Sequence, residues 1–300
     1  MERPTLRQLE YFVALAERLH FRRAAESCHV SQPALSAQIA QLESGLGMTL
    51  FERGPRRVSL TDAGKALLGA AEETLAASNR VVQLARSLGR PLTGPLRLGT
   101  IPTVGPYLLP RVLPALDAAF PDLHLFLRED TTARLLVQLE SGDLDLLLLA
   151  IDVELGDLTT LPLFSDPFVL AFSAKDPLVG KAEAQLADLE GRSILLLEDG
   201  HCLRDQTLSL CEASGGEERT GFRSSSLAMI TQMVARGLGS TLLPELAVKR
   251  EAAAVPGLAT IPFGSDGPFR SVGLAWRARS PRGEEFERLG TTIAAAYMAD

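Results

Sequence analysis

Leu195-Leu196-Leu197-Glu198-Asp199-Gly200-His201-Cys202-Leu203-Arg204-Asp205-Gln206 is a short apolar run that breaks at a carboxylate pair and a glycine, with a histidine and a cysteine directly after. The run reads as a buried strand, Gly200 as the break, and Cys202 as the point where a loop enters a helix. Strand, short loop and helix are the repeating unit of an α/β fold. A thiol reacts as its thiolate, and a helix N-terminus, a neighbouring His and a nearby Arg all favour that anion. Cys211 follows nine positions after Cys202. Three readings are open. Both cysteines can be small apolar residues of a core. His201 and Cys202 can be metal ligands, although no CxxC or HxxxH accompanies them, and no metal is expected. The two can also be a redox pair, a peroxide-reactive Cys202 and a resolving Cys211.

Outward from this stretch the same texture continues. Leu96–Ile101 reads as a strand, Pro106–Phe120 as a helix, His124–Arg128 as a strand, Ala133–Ser141 as a helix and Leu144–Ile151 as a buried strand. Pro167–Ser173 and Ser193–Leu197 are further strands, Ser226–Arg236 a helix, Ser240–Leu243 and Val272–Trp276 strands, and Glu284–Ala296 a final helix. Residues 96–300 are therefore expected to form an α/β regulatory domain of two Rossmann-like subdomains. Subdomain I covers about 96–164 and 270–300, and subdomain II about 165–269. Ligands of such sheets sit beyond the carboxyl ends of strands. Thr103, in Thr100-Ile-Pro-Thr-Val-Gly-Pro106, and Thr132 occupy such places, where helix capping is the plainer alternative.

The N-terminal part has a different pattern. Leu6, Leu9, Phe12, Val13 and Ala16 recur at helical spacing, and Phe21, Ala24, Ala25 and Cys28 continue on a second helix, where Cys28 reads as core packing. After a break at His29-Val30, Ser31 is a good N-cap and Pro33 fits the first turn of a third helix, Gln32–Leu42, ended by Gly45 and Gly47. Helix, turn, helix is a DNA-binding arrangement, and Ser31, Gln32, Pro33, Ser36, Gln38 and Gln41 lie on the face that reads base edges. An ordinary polar helix face is the alternative. Gly54-Pro55 then turns between two short extended arms, a wing whose Arg53, Arg56 and Arg57 meet phosphate. Residues 1–60 thus form a winged helix-turn-helix domain. Residues 61–88 form a linker helix whose positions Leu68, Ala71, Leu75, Ser78, Val82 and Ala85 alternate three and four, and Leu68, Leu75 and Val82 are the dimerisation candidates. Packing on its own domain is the alternative. Residues 89–95, rich in Gly and Pro, are expected to be a hinge.

Composition narrows the class. With 46% hydrophobic and 22% charged residues over 300 positions, the chain can bury several cores. No apolar run approaches the length of a membrane span, and the first residues do not begin a signal peptide, so a cytoplasmic protein without membrane contact is expected. Three cysteines are too few for a disulfide scaffold, so any disulfide is transient and regulatory. A net charge of −7 leaves DNA binding to a local basic patch.

The phrase from Glu198 to Gln206 with its cysteine nine positions on, and Ile101-Pro-Thr-Val-Gly-Pro-Tyr-Leu-Leu-Pro110, closely resemble the hydrogen-peroxide-sensing members of the LysR family of transcriptional regulators. Ala24-Ala25, Ser31-Gln32-Pro33-Ala34-Leu35-Ser36, Leu42-Glu43, Leu50-Phe51-Glu52-Arg53 and Leu60-Thr61-Asp62-Ala63-Gly64 independently resemble the family's N-terminal domain. The resemblance implies a regulatory domain like a periplasmic binding protein, with a cleft between its halves. It implies that Cys202 is peroxidatic and Cys211 resolving, and that Thr103, Thr132 and His201 surround the reactive thiol. Arg270 matches an arginine that responds to oxidation. Arg204 and Asp205 lie in the shared motif, the first to steady a thiolate and the second to orient it or cap the helix. The implied partners are promoter DNA, RNA polymerase, hydrogen peroxide as signal and a glutaredoxin- or thioredoxin-type reductant. No cofactor is implied, and dimers joined through the α/β domains would give a homotetramer. The expected function is control of antioxidant genes, not catalysis. The competing readings are a family member that binds a small organic effector without redox chemistry, and a thiol peroxidase.

Overall fold

The computed structural model describes residues 3–53, 58–87, 91–253 and 255–299. It divides into two compact units, Met1–Arg86 and Ser87–Asp300.

The first unit opens with α1 (Leu6–Arg18), whose Thr5 and Gln8 form a reciprocal capping box. Helix α2 (Phe21–Ser27) follows, and a turn through His29, at φ 54°, leads to α3 (Gln32–Leu46). Ser31 caps α3, Pro33 sits in its first turn, and Leu35, Ile39 and Leu42 face the core at helical spacing. The helix runs one turn past the expected end. Gly45 lies inside it and only Gly47, at φ 67°, stops it in the left-handed region. Strands β1 (Phe51–Arg53) and β2 (Val58–Leu60) pair antiparallel as the wing. Glu43 of α3 accepts from the amides of Leu50 and Phe51 at 2.8 and 3.1 Å, which fixes the wing to that helix. Arg56 and Arg57 lie outside the described residues, and of Arg53 only the backbone is described.

Thr61 caps α4 (Asp62–Ser87) through the Gly64 amide. Leu68 and Leu75 are half-buried against this unit's own core and Ala71 is inside it, whereas Val82 is 47% exposed. The first half of the expected seam is thus already packed, and the exposed apolar surface begins at Val81 and Val82. The expected hinge is shorter than read: Gly94 and Pro95 begin a strand, while Gly89 and Arg90 lie outside the described residues.

The second unit comprises β3 (Gly94–Thr100), α5 (Gly105–Ala119), β4 (Leu123–Glu129), α6 (Thr132–Ser141), β5 (Leu146–Ala150), β6 (Leu158–Ser173), β7 (Ser193–Leu197), α7 (Cys202–Ser214), β8 (Glu217–Ser224), α8 (Leu227–Ala235), β9 (Thr241–Pro244), α9 (Glu245–Ala253), β10 (Leu258–Pro262), β11 (Phe269–Arg277) and α10 (Gly283–Met298). The sheet runs β10-β6-β11-β5-β3-β4, with β9 also paired to β6. Strands β4, β3 and β5 are parallel, while β11 and β6 run antiparallel to their neighbours. The 16-residue β6 makes the crossing: Leu158–Pro167 pairs with β11, and Phe168–Ser173 with β9 and β10. Two cores result. Leu146–Ala150, fully buried on both faces, centre the first, and Phe168, Leu170, Phe172 and Ile194–Leu197 the second. Each such leucine contributes roughly 2 kcal/mol of burial. Gly99 lets α6 approach the sheet, because a Cβ there would meet side-chain carbons of Leu144, Leu135 and Leu147 at 2.6–2.8 Å. Among the described residues no helix is long and apolar enough to cross a membrane.

Candidate functional site

Strand β7 ends at Leu197, and Gly200, at φ 92°, turns the chain where an L side chain would be strained. His201 is the N-cap of α7 and Cys202 its first residue. The helix belongs to the second subdomain, whose core holds Leu203 and Cys211, yet Cys202 is buried in the core of the first. The thiol therefore sits where the two halves meet, 5% exposed.

The charge balance there differs from the expectation for an activated thiolate. Burial pushes the Cys202 thiol above its ordinary value, and Asp205 adds to the rise. Arg270 and the Thr132 hydroxyl favour the anion but do not overcome burial. The Thr132 oxygen lies beside the sulfur without a hydrogen bond of normal geometry, so its effect on the thiol is a polar contact. His201 is buried and its pKa is lowered by that burial, so at neutral pH its ring carries no charge to lend. Its Nε2 lies 4.0 Å from Glu198 Oε1 and has no hydrogen-bond partner among the described residues.

Arg204 corrects the sequence expectation most clearly. Its guanidinium makes two parallel bonds to Glu218 at 3.0 and 3.1 Å and an ion pair with Asp199 at 2.9 Å. Arg223 closes the network on Asp199 at 2.7 Å. Arg204 thus clamps the first turn of α7 to β8 instead of steadying the thiolate. Asp205 is exposed in that first turn, where its charge suits the helix N-terminus and opposes a neighbouring thiolate.

Arg270 is the cation that acts on the sulfur. It is fully buried on β11, and Nη1 donates to Thr103 Oγ1 at 2.9 Å while Nη2 donates to the Thr103 carbonyl at 2.8 Å. Nε and Nη2 both donate to Asp166 Oδ2, at 3.0 and 2.9 Å. Asp166 is the direct cross-strand partner of Arg270 and is also fully buried. Sequence reading did not single it out; the available signal was a lone carboxylate inside the apolar run Leu163–Phe168. Gln206 was also passed over. It lies one turn after Cys202, and both its amide atoms are buried without partners, as is Thr132 Oγ1. Each such atom costs about 1–3 kcal/mol when unpaired, so these groups have hydrogen-bonding capacity to offer a small polar molecule.

Cys211 lies on the same helix, 1% exposed, its thiol pushed up to about 11 by burial and by Glu212. All three cysteines are free thiols. Among the described residues no group of three His, Cys, Asp or Glu side chains could hold a metal ion. In the other unit, Ser31, Gln32, Pro33 and Gln41 are exposed on α3, and Ser36 and Gln38 partly so, while Cys28 packs against that unit's core.

Residues 6–65 match the bacterial regulatory helix-turn-helix proteins of the lysR family, and residues 89–297 match the LysR substrate binding domain. The chain is 46% identical over 290 residues, 97% of its length and 95% of the relative's, to the DNA-binding transcriptional dual regulator OxyR of Escherichia coli. It is 43% identical over 288 residues, 96% of its length and 95% of the relative's, to a hydrogen peroxide-inducible genes activator of Haemophilus influenzae. A full-length OxyR variant from Pseudomonas aeruginosa superposes with a TM-score of 0.71 at 38% identity, covering 98% of this chain and 95% of that one. A hydrogen-peroxide-bound cysteine-to-serine variant of Corynebacterium glutamicum OxyR gives 0.68 at 40% identity, covering 99% and 94%. On sequence match over both units and fold match over nearly its whole length, the chain belongs to the LysR family of transcriptional regulators, in its OxyR group.

Proposed function

We infer that this protein is a DNA-binding transcriptional regulator that senses hydrogen peroxide through Cys202. The observation that carries the reading is a buried thiol at the meeting of two subdomains, beside Arg270 and Thr132, with a second thiol on the same helix. The sulfur attacks one peroxide oxygen, the O–O bond breaks, and the thiol proton leaves with the other oxygen as water, giving the sulfenic acid. Cys211 then attacks the Cys202 sulfur, a second water leaves, and the disulfide forms. A glutaredoxin- or thioredoxin-type dithiol supplies the two electrons that restore the thiols. Neutral His201, with Nε2 unpaired, relays that proton from the sulfur to the departing oxygen and ends neutral again. Turnover is not the purpose of this chemistry: the oxidised form is the signal.

A thiol held above its ordinary pKa rests protonated, which protects it from indiscriminate oxidation. With Cys28 and Cys211 replaced by serine, iodoacetamide alkylation of Cys202 is therefore expected to accelerate about tenfold per pH unit from 7 to 9, since the thiolate fraction rises tenfold per unit below the pKa. A rate already flat at pH 7 would contradict the burial effect.

On DNA, α3 enters the major groove with Gln32 and Ser36 on base edges, Ser31, Pro33 and Gln38 beside them, and Arg53, Arg56 and Arg57 on phosphate. Arg56→Ala and Arg57→Ala are expected to weaken binding to all sequences and each to reduce the salt slope by about one phosphate. Gln32→Ala instead relaxes sequence preference, by roughly 1–3 kcal/mol at one base pair. The assignment fails if the arginine changes alter preference and leave the salt slope intact. Two chains pair through the exposed continuation of α4 around Val82, pairs of dimers join through the α/β units, and the assembly acts with RNA polymerase in the cytoplasm. A footprint on its own promoter region that changes with peroxide and reverts with reductant tests the whole reading; a footprint indifferent to both overturns it.

A further inference from the structure

The Asp166–Arg270 pair occupies a particular place in the topology. Both strands that join the subdomains pass through it: β6 pairs with β11 up to Pro167 and with β9 and β10 from Phe168 on. The pair is thus the next-to-last rung before the sheet changes partners, followed by Pro167 and Phe269. Asp166 Oδ1 accepts from the Leu246 amide, in the first turn of α9, at 2.9 Å. Its Oδ2 holds Arg270, and Arg270 holds Thr103. The loop carrying Thr103 continues into Pro106 and Tyr107. The far end of α9 grips both: Arg250 donates to the Pro106 carbonyl at 3.1 Å, and the Tyr107 hydroxyl donates to Glu251 at 2.7 Å. The hydrogen bonds close a ring from the start of α9 through Asp166, Arg270 and the Thr103 loop back to its last turn.

We propose that Asp166 is a positioning residue for the reactive thiol: it fixes Arg270 at the strand crossing and offsets its charge, so Cys202 reactivity depends on a carboxylate that touches neither sulfur nor oxidant. The proposal rests on Cys202 being the peroxide-reactive group. Two of the five guanidinium donors of Arg270 land on one oxygen of Asp166 and two more go to Thr103, so the guanidinium has a single supported orientation. Among the described residues the charged groups that act on the thiol are Arg270 from β11 and Asp205 from its own helix; His201 precedes it in the chain, and Thr132 of α6 is neutral. Tyr297 of α10 lies near Asp166, and Tyr297 in turn has Arg111 of α5 over its ring and Glu245 of α9 nearby. Arg270 is thus the cation whose effect on the sulfur Asp166 controls. A buried ion pair is not needed for stability as such, since a neutral pair of similar shape serves as well.

The test uses full-length protein with Cys28→Ser and Cys211→Ser, so that Cys202 is the one thiol. In this background Asp166→Asn keeps the shape and removes the charge. The pH midpoint of iodoacetamide alkylation is expected to fall by about one unit, a tenfold gain in thiolate. The peroxide rate constant per thiolate is expected to fall at least about tenfold, because Thr103 and Arg270 lose their support. Asp166→Asn leaves a buried guanidinium uncompensated, so Asp166→Asn/Arg270→Gln, which buries no charge, is the second variant. It is expected to bring the alkylation midpoint back up from that of the single variant while the peroxide rate stays low. A double variant that reacts with peroxide like the parent, or a single variant with the parent's alkylation midpoint, reduces the pair to a structural tie and overturns the proposal. The alkylation arm does not depend on peroxide. Peroxide consumption by the parent that survives Cys202→Ser would defeat the functional reading alone.

Discussion

Cys202→Ser leaves promoter binding indifferent to peroxide. The serine is nearly isosteric, so the reduced fold, the clamp of Arg204 on Glu218 and the Arg270–Thr103 contacts are expected to persist. Only the nucleophile is lost, and an alcohol at this site does not reduce a peroxide bond. The expected effect is a fall in the peroxide rate of the protein's thiols by at least about a hundredfold, because the remaining cysteines lack the surroundings of Cys202: Cys28 packs in the DNA-binding unit and Cys211 in the second core, without Arg270 or Thr132 beside it. Cys211→Ser should separate the two chemical steps, with the sulfenic acid forming at its usual rate and the promoter response becoming weak or brief. A Cys202→Ser protein that still switches its footprint within the same peroxide range would move the sensing elsewhere. Retained regulation of that kind is what a small-effector regulator of the same family would give.

Helix α7 must come apart for the second step. Nine residues of helix separate the thiols, about 13 Å along the axis at 1.5 Å per residue, and the cumulative rotation of roughly 900° leaves the side chains on opposite faces. A disulfide requires Cα atoms within about 7 Å. The cores show the same opposition, since Cys202 packs into the first subdomain and Cys211 into the second. Closing the bond therefore withdraws at least one sulfur from its core, breaks the helix and opens the Arg204–Glu218–Asp199–Arg223 network that ties its first turn to β8. Amides from 203 to 215 are expected to exchange at least about a hundredfold faster in oxidised protein, a loss of roughly 3 kcal/mol of protection. Amides of β3 and β5 should barely change. A disulfide that forms while exchange across α7 stays the same would keep the chemistry and remove the conformational switch.

Much of the second unit was readable because its signals are local. Strand β7 is an uninterrupted apolar run and Gly200 has the positive φ that its place before the helix requires; in the first unit, likewise, Ser31 with Pro33 opens α3 as capping chemistry dictates. Elements whose stability comes from distant partners were missed. Strand β8 is polar and half-exposed, so it has no apolar run to betray it, and it exists because β7 pairs beside it. Helix α9 follows β9 without a break, and β10 has only one buried residue in five. Pro162 and Pro167 disguised β6, whose early half was not read as strand; they are tolerated where the strand bulges and changes neighbours. The charge environment of Cys202 was misjudged for the same reason. His201 and Arg204 are close in sequence, but one is neutral through burial and the other is held by Glu218, while the effective cation stands on β11 and its counter-ion on β6. Spacing in sequence placed Cys202 at the start of a helix, where the structure has it, and said little about which charges reach it.

Peptide mapping of the full-length protein, treated with about one equivalent of hydrogen peroxide and digested without reductant, tests the central claim most directly. The account predicts one dominant cross-linked peptide joining Cys202 to Cys211, with Cys28 still a free thiol and the link lost on treatment with a dithiol. Recovery of Cys202 and Cys211 as unmodified thiols, under conditions where the promoter footprint has already changed, would contradict it.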